Sequence, residues 1–224
     1  MSMSYYVSPE QVMKDRAEYA QKGIARGRAL VACAYDNGIL FVTENTSSTL
    51  HKISEVYDRI AFAGIGKFNE FQNLRNAGVR IADVKGYTYS RGDVTASEIT
   101  NIYSQTLGQI FTNEMKPYEV EILVAELAEE KDGENNLFKI TFDGTVFDKE
   151  GYTVLGGADD SIETALAKAY KPNMKLNKAL SIALKALDTK NKAPKLEVAV
   201  LERSKRTRCF RRLENAEITE LIKK

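Results

Sequence analysis

Apolar positions fall along this chain in two rhythms, and the switches between them mark its elements. Met13, Ala17, Ala20 and Ile24 recur at helical spacing, which gives a first helix, Pro9 to about Arg26, one apolar stripe. Ser8 at its head can cap orphan amides, Pro9 suits the first helical position, and Gln11 completes a Ser-x-x-Gln capping box. Gly27 stands where such a helix stops. Two dense apolar runs follow, Leu30 to Tyr35 and Ile39 to Glu44, around Asp36-Asn37-Gly38, a hairpin signal. Lys52 to Ser54 and Arg59 to Ile65 continue as strands.

Helical spacing returns in Lys67 to Lys85, where Phe68, Phe71, Leu74 and Val79 lie near one face. A second helix follows Thr95, an N-cap with Glu98 three residues on, and carries Ile99, Ile102, Tyr103, Thr106 and Ile110. Strands resume at Val120 to Leu127 and Leu137 to Phe142, flanking a charged loop, Glu129 to Asn136. Asp143-Gly144 makes a turn and Tyr152 to Leu155 is a short strand. Ser161 to Tyr170 and Asn177 to Leu187 form another helix pair, Leu196 to Glu202 and Arg206 to Arg211 another strand pair, and Ile218, Leu221 and Ile222 mark a last helix. Grouped strands and paired helices are not the strict alternation of a parallel doubly wound sheet. They predict an α+β fold, a four-layer αββα sandwich of two antiparallel sheets.

Charge narrows the function classes. Lys and Arg number 32 against 31 Asp and Glu, a formal net charge of +1, which argues against general polyanion binding. The basic stretch Arg203 to Arg212 has only Phe210 as a nearby aromatic platform, so a solvated hairpin or a contact with acidic neighbours fits it better than nucleic acid. No apolar run approaches the ~18 residues of a membrane helix, and Met1 to Val7 is not a secretory signal. Cys33 and Cys209 suit buried thiols in a reducing compartment. The expectation is a soluble, cytoplasmic chain of one domain, 8–224, behind a flexible tail, 1–7, with no linker, no cofactor, no nucleic acid and no membrane among its partners.

Several segments in order carry a resemblance over nearly the whole chain: Tyr5 to Gln11, Lys22 to Arg26, Lys52 to Arg59, Gly66 to Phe71, Gln105 to Gly108 and Lys116 to Glu121. In these the sequence resembles the α-type subunits of bacterial, actinobacterial-type 20S proteasomes. The resemblance implies the N-terminal-nucleophile hydrolase-like αββα fold. It also implies seven-membered α rings capping proteolytic β rings, with unfolded protein as the substrate degraded inside. Catalytic β-type relatives use an N-terminal threonine whose own amine is the base. The matching place here is near Gly27-Arg28-Ala29, which has no threonine, and the helper lysine would fall around Thr46 to Leu50, which has none. No catalytic residue is therefore assigned.

Other chemistries lack parts. His51 is the only histidine, with no Gly-x-Ser-x-Gly elbow and no metal-ligand spacing, and reads as a structural side chain beside a strand edge. Gly64-Ile65-Gly66-Lys67 is too short for a phosphate loop and reads as a strand-to-helix turn needing small residues. Thr145 follows Gly144 in an internal turn. By resemblance, Lys52 lies in a pocket between adjacent α subunits and pairs with the C-terminal carboxylate of a ring-shaped proteasomal ATPase; Gly27 and Lys67 match positions lining it. A compact ammonium on a long stem suits that pairing. Tyr5, Tyr6, Val7 and Ser8 match the gate over the axial pore. The first helix, with Lys14, Asp15, Arg16 and Glu18 beside the stripe of Met13, Ala17, Ala20 and Ile24, suits a ring contact. The function that follows is a non-catalytic gating and assembly subunit. The alternatives are a self-processing N-terminal threonine peptidase and a homo-oligomeric binding scaffold.

Overall fold

The computed structural model describes residues 8–130, 133–156, 159–188, 196–203 and 208–223. Helix α1 (Pro9–Ile24) precedes β1 (Leu30–Tyr35), β2 (Gly38–Glu44), β3 (Ile53–Tyr57) and β4 (Ile60–Gly66). Helices α2 (Phe68–Thr88) and α3 (Ala96–Asn113) follow, then β5 (Val120–Glu126), β6 (Asn136–Ile140), β7 (Val146–Asp148) and β8 (Tyr152–Leu155). Helices α4 (Asp159–Ala169) and α5 (Leu176–Ala186), strands β9 (Leu196–Glu202) and β10 (Phe210–Arg212), and helix α6 (Asn215–Lys223) complete the order.

Two five-stranded sheets result, ordered β10-β9-β2-β1-β8 and β3-β4-β5-β6-β7. Every ladder is antiparallel; Asn37-Gly38 closes the first hairpin, with Tyr35 opposite Gly38. Each central strand sends alternate residues to different layers, as a period of two requires. From β1 and β2, Leu30, Ala32, Ile39 and Phe41 enter the core between the sheets, where they meet Ala63, Ile65, Leu123 and Ala125. Their neighbours Val31, Cys33, Leu40 and Val42 face α4, α5 and α6 with Leu166, Leu180 and Ile218. On the far side, Ile60, Phe62, Ile122 and Val124 pack under α2 and α3 with Phe71, Leu74 and Tyr103. The predicted four-layer sandwich is the one observed.

Local differences have physical causes. Helix α1 ends at Ile24, two residues short of the expected stop. The Ser8 hydroxyl accepts the Gln11 N–H at 3.2 Å, but the Gln11 side chain donates to Asp15 Oδ1 at 2.6 Å, so the capping box is half made. Thr95 is the N-cap of α3 without a side-chain bond; the buried Glu126 carboxylate of β5 accepts the Ala96 N–H instead, at 3.2 Å. Strand β3 starts one residue later than expected and runs on to Tyr57 through a bulge. Strand β7 escapes the pattern because its three residues are half-buried or exposed. Of the expected strand at 206–211, positions 206 and 207 lie outside the described residues, and β10 begins at Phe210. The cysteines are free and buried in different clusters, Cys33 under the α4 and α5 layer and Cys209 in the inter-sheet core. No described helix is long and apolar enough to cross a membrane.

Candidate functional site

The start of β1 is where the sandwich concentrates polar chemistry. The chain leaves α1 through a turn in which the Gly27 N–H donates to the Ile24 carbonyl at 2.9 Å. Beyond it come Arg28, Ala29 and Leu30, none of which offers a hydroxyl or thiol. Lys52 comes back to this place from the other sheet. Its ammonium donates to the carbonyls of Arg28 at 3.2 Å and Glu44 at 3.1 Å, and contacts Thr43 Oγ1 at 3.4 Å. A lysine therefore does stand at the β1 start, two residues past the span searched for a helper base; this corrects the sequence expectation. Its three donors all meet oxygens. Desolvation by burial holds the Lys52 ammonium below its ordinary range, against the opposing pull of Glu197. The one hydroxyl beside it, Thr43, gives its own proton to the Ala29 carbonyl at 2.9 Å. Among the described residues, no thiol or untied hydroxyl stands beside Lys52 to be activated.

Lys52 is aimed by Glu197, a buried carboxylate on β9. Its two oxygens accept the Lys52 N–H at 3.0 Å, the Ile53 N–H at 3.1 Å and the Asn45 side-chain amide at 2.7 Å. His51 Nδ1 lies 3.6 Å from the same carboxylate and is partly exposed. Thr145 is held in its turn by Asp143, whose carboxylate accepts both its N–H at 3.1 Å and its hydroxyl at 3.0 Å.

Gly27 and Lys67 meet at the adjacent turn. Gly66 adopts φ +97°, and a side chain there would overlap the Glu119 carbonyl; only glycine closes this strand-to-helix turn without strain. A methyl at Gly27 would meet the Ile24 carbonyl at 3.1 Å and the Gly66 nitrogen at 3.5 Å, so the chain's own backbone already uses its smallness. Lys67 follows, its side chain 48% exposed and 3.0 Å from Glu119 Oε1. A cavity of about 290 Å³ opens beside this turn, lined by Ala25, Gly27, Arg28, Ala29, Glu44, Ile162 and Leu187. Of the three residues assigned to a pocket, Gly27 lines this cavity; Lys52 backs onto Arg28, and Lys67 follows Gly66 at its edge.

The stripe on α1 divides. Ala20 is 0% and Ile24 6% exposed, both in the inter-sheet core with Ala17 packed against it. These three are turned toward their own sandwich, which corrects their assignment to a contact with another copy. Val12, Met13 and Tyr19 are the apolar residues that α1 leaves exposed. Ser8 is the N-cap of α1; Tyr5, Tyr6 and Val7 lie outside the described residues. Glu197 and Glu119 were not singled out by sequence reasoning, though a carboxylate embedded in an apolar strand run is a signal for Glu197; Glu119 stands just before β5 and carries no such signal.

Layering, sheet order and a β1 that begins just past the turn closing its own preceding helix define an α+β sandwich protein in which Arg28, Ala29 and Leu30 put no hydroxyl or thiol at the start of that strand. The chain belongs to the proteasome subunit family, whose description, "Proteasome subunit", it matches over residues 24–197. It is 51% identical over 228 residues to "Proteasome subunit alpha" of Thermobifida fusca, covering 99% of this chain and 91% of that protein. Proteins of the same name from Thermomonospora curvata and Acidothermus cellulolyticus are each 52% identical, over 227 and 232 residues; the first match covers 99% of this chain and 98% of the relative, the second 100% and 99%.

Proposed function

We propose that this chain is a non-catalytic α-ring subunit of a bacterial 20S core particle in the cytoplasm. Copies of it form a homo-heptameric ring that caps proteolytic β rings, admits unfolded protein and docks a ring-shaped ATPase; hydrolysis belongs to the β partners. The carrying observation is the β1 start, where Lys52 has only carbonyls and a tied hydroxyl around it. The likeness to proteins named proteasome subunit alpha supports the same reading. The domain from residue 8 onward builds the ring, with the exposed Val12, Met13 and Tyr19 of α1 at the contact between copies; residues 1–7 form the gate. The C-terminal carboxylate of the ATPase docks at the turn of Gly27, between Lys52 and Lys67. Lys67 is the more exposed cation and carries one carboxylate partner, Glu119, so it exchanges more readily than Lys52.

Electron microscopy of the chain expressed with its β partner should show sevenfold rings. The purified chain alone should cleave no peptide; cleavage with a new N-terminal threonine mapped by sequencing refutes the assignment. Removing residues 1–7 should speed peptide hydrolysis by the assembled particle, and unchanged turnover would refute the gate. Lys67→Ala should weaken binding of the ATPase C-terminal peptide by about tenfold, the loss of one partly desolvated charge pair.

A further inference from the structure

Four charged side chains form a closed cluster against the last turns of α1. Lys67 Nζ and Lys116 Nζ each lie 3.0 Å from the same oxygen, Glu119 Oε1. Lys116 is also 2.7 Å from Glu70 Oε1, and Glu70 Oε2 accepts the Glu119 N–H at 2.7 Å. Both carboxylates are 7% exposed. One carboxylate oxygen thus joins two lysines that lead to different places. Lys67 opens toward the turn of Gly66 and Gly27. Lys116 belongs to the connection between α3 and β5 and sits over the Tyr19 ring of α1, 5.7 Å from its centroid. The same connection is tied to α1 again by Arg16, which donates to the carbonyls of Thr112 and Glu114. Glu119 itself rests on α1: any side chain at Gly23 would overlap its carboxylate.

We propose that Glu119 couples the docking turn to α1 and to the 112–118 connection. This deepens the docking role proposed above and rests on it. Two lysines and two glutamates balance in the cluster as it stands. A carboxylate arriving at Lys67 competes with Glu119 for one ammonium and adds a negative charge where screening is weak. Glu119 is then left to Lys116. It cannot move alone, because its carboxylate abuts the Gly23 backbone, its N–H is held by Glu70, and its carbonyl accepts the Lys67 N–H at 3.0 Å. The displacement therefore passes to Lys116, its connection, and α1 through Tyr19 and Arg16. Burial alone would raise the Glu119 carboxyl, but the Lys67 and Lys116 ammoniums beside it outweigh burial and hold the group below its ordinary range in the cluster as it stands.

The test uses the assembled core particle and a synthetic octapeptide copying the C-terminus of the ring ATPase from the same genome, with its amidated form as control. Binding is read by fluorescence anisotropy and coupling by amide hydrogen exchange over 9–26 and 112–118. In wild-type particles the free-carboxylate peptide should change exchange there by about fivefold or more, within the range of ordinary allosteric coupling. In Glu119→Gln particles the peptide should still bind within about threefold of wild type, while that change falls by at least half. Lys116→Met, at a side chain more exposed than Glu119, should give the same loss, and it carries the test should Glu119→Gln fail to assemble. A full exchange change in variants that bind the peptide overturns the coupling. Wild-type particles that bind neither peptide overturn the docking role itself, and the coupling with it.

Discussion

Glu197→Ala is expected to destabilise the folded chain by about 3–5 kcal/mol, because each buried donor left without its acceptor costs about 1–3 kcal/mol. Glu197 belongs to β9 in one sheet, whereas the Lys52 and Ile53 N–H groups it accepts lead into β3, the edge of the other. Its Oε2 also takes the Asn45 side-chain amide at 2.7 Å, fixing the connection from β2. An alanine removes both carboxylate oxygens, and with them three hydrogen bonds, and leaves two backbone donors orphaned. Arg212, 3.6 Å from the carboxylate, loses its nearby anion as well, though it keeps the Ile53 carbonyl. Glu197→Gln retains an acceptor oxygen and should cost about half as much. Urea unfolding followed by circular dichroism separates the three chains. An alanine variant within ~0.5 kcal/mol of wild type, the range of ordinary surface changes, would show that the carboxylate does not tie the sheets. The same substitution should leave the Lys52 side chain unaimed, weakening docking of an ATPase tail along with stability. Glu197→Gln, whose single amide oxygen can keep the Lys52 N–H but not the Ile53 N–H bonded to the other oxygen, should spare part of that affinity.

Strands buried on both faces are the most legible elements in this chain. In Leu30–Tyr35 and Leu196–Glu202 the apolar residues alternate between the inter-sheet core and the helix layer, so the apolar run and the strand nearly share their bounds. Legibility falls where partners are distant in sequence. Nothing around Thr95 announces that a carboxylate thirty residues on will take the Ala96 N–H. Periodicity on α1 identifies a buried face but not what buries it or how far it extends: Ala20 and Ile24 face their own core, whereas Met13, on the same stripe, stays exposed. At the candidate site, composition and spacing alone do not single out Lys52, Gly27 or Lys67; family resemblance does. Leu196-Glu197-Val198 and Val120-Glu121-Ile122 do carry a local signal, since a charge within an apolar strand run must find a partner when it is buried. Reading that signal points to the carboxylate that organises Lys52 and to Glu121, but not to Glu119 beside Lys67, which precedes its strand.

Lys139→Met is expected to cost about 3–5 kcal/mol, the range for breaking a buried ion pair on one side only. Lys139 Nζ lies 3.0 Å from Glu121 Oε1, both side chains about one-tenth exposed, and donates to the Val154 carbonyl at 3.1 Å. Glu121 Oε2 in turn accepts the Gly156 N–H at 2.8 Å. The pair thus joins β5 and β6 of one sheet to the end of β8 in the other. Gly156 packs on Ala29, which a methyl at that glycine would meet at 3.1 Å, so the clamp also steadies the β1 start that Lys52 caps. Methionine preserves most of the lysine volume, so the loss measures charge and hydrogen bonding more than packing. Adding Glu121→Gln removes the anion that faced Lys139 yet keeps an acceptor for Gly156, and should recover about 1–2 kcal/mol of the loss. Additive single and double variants, with no recovery, would mean that the two side chains stabilise the sheets independently rather than as one clamp.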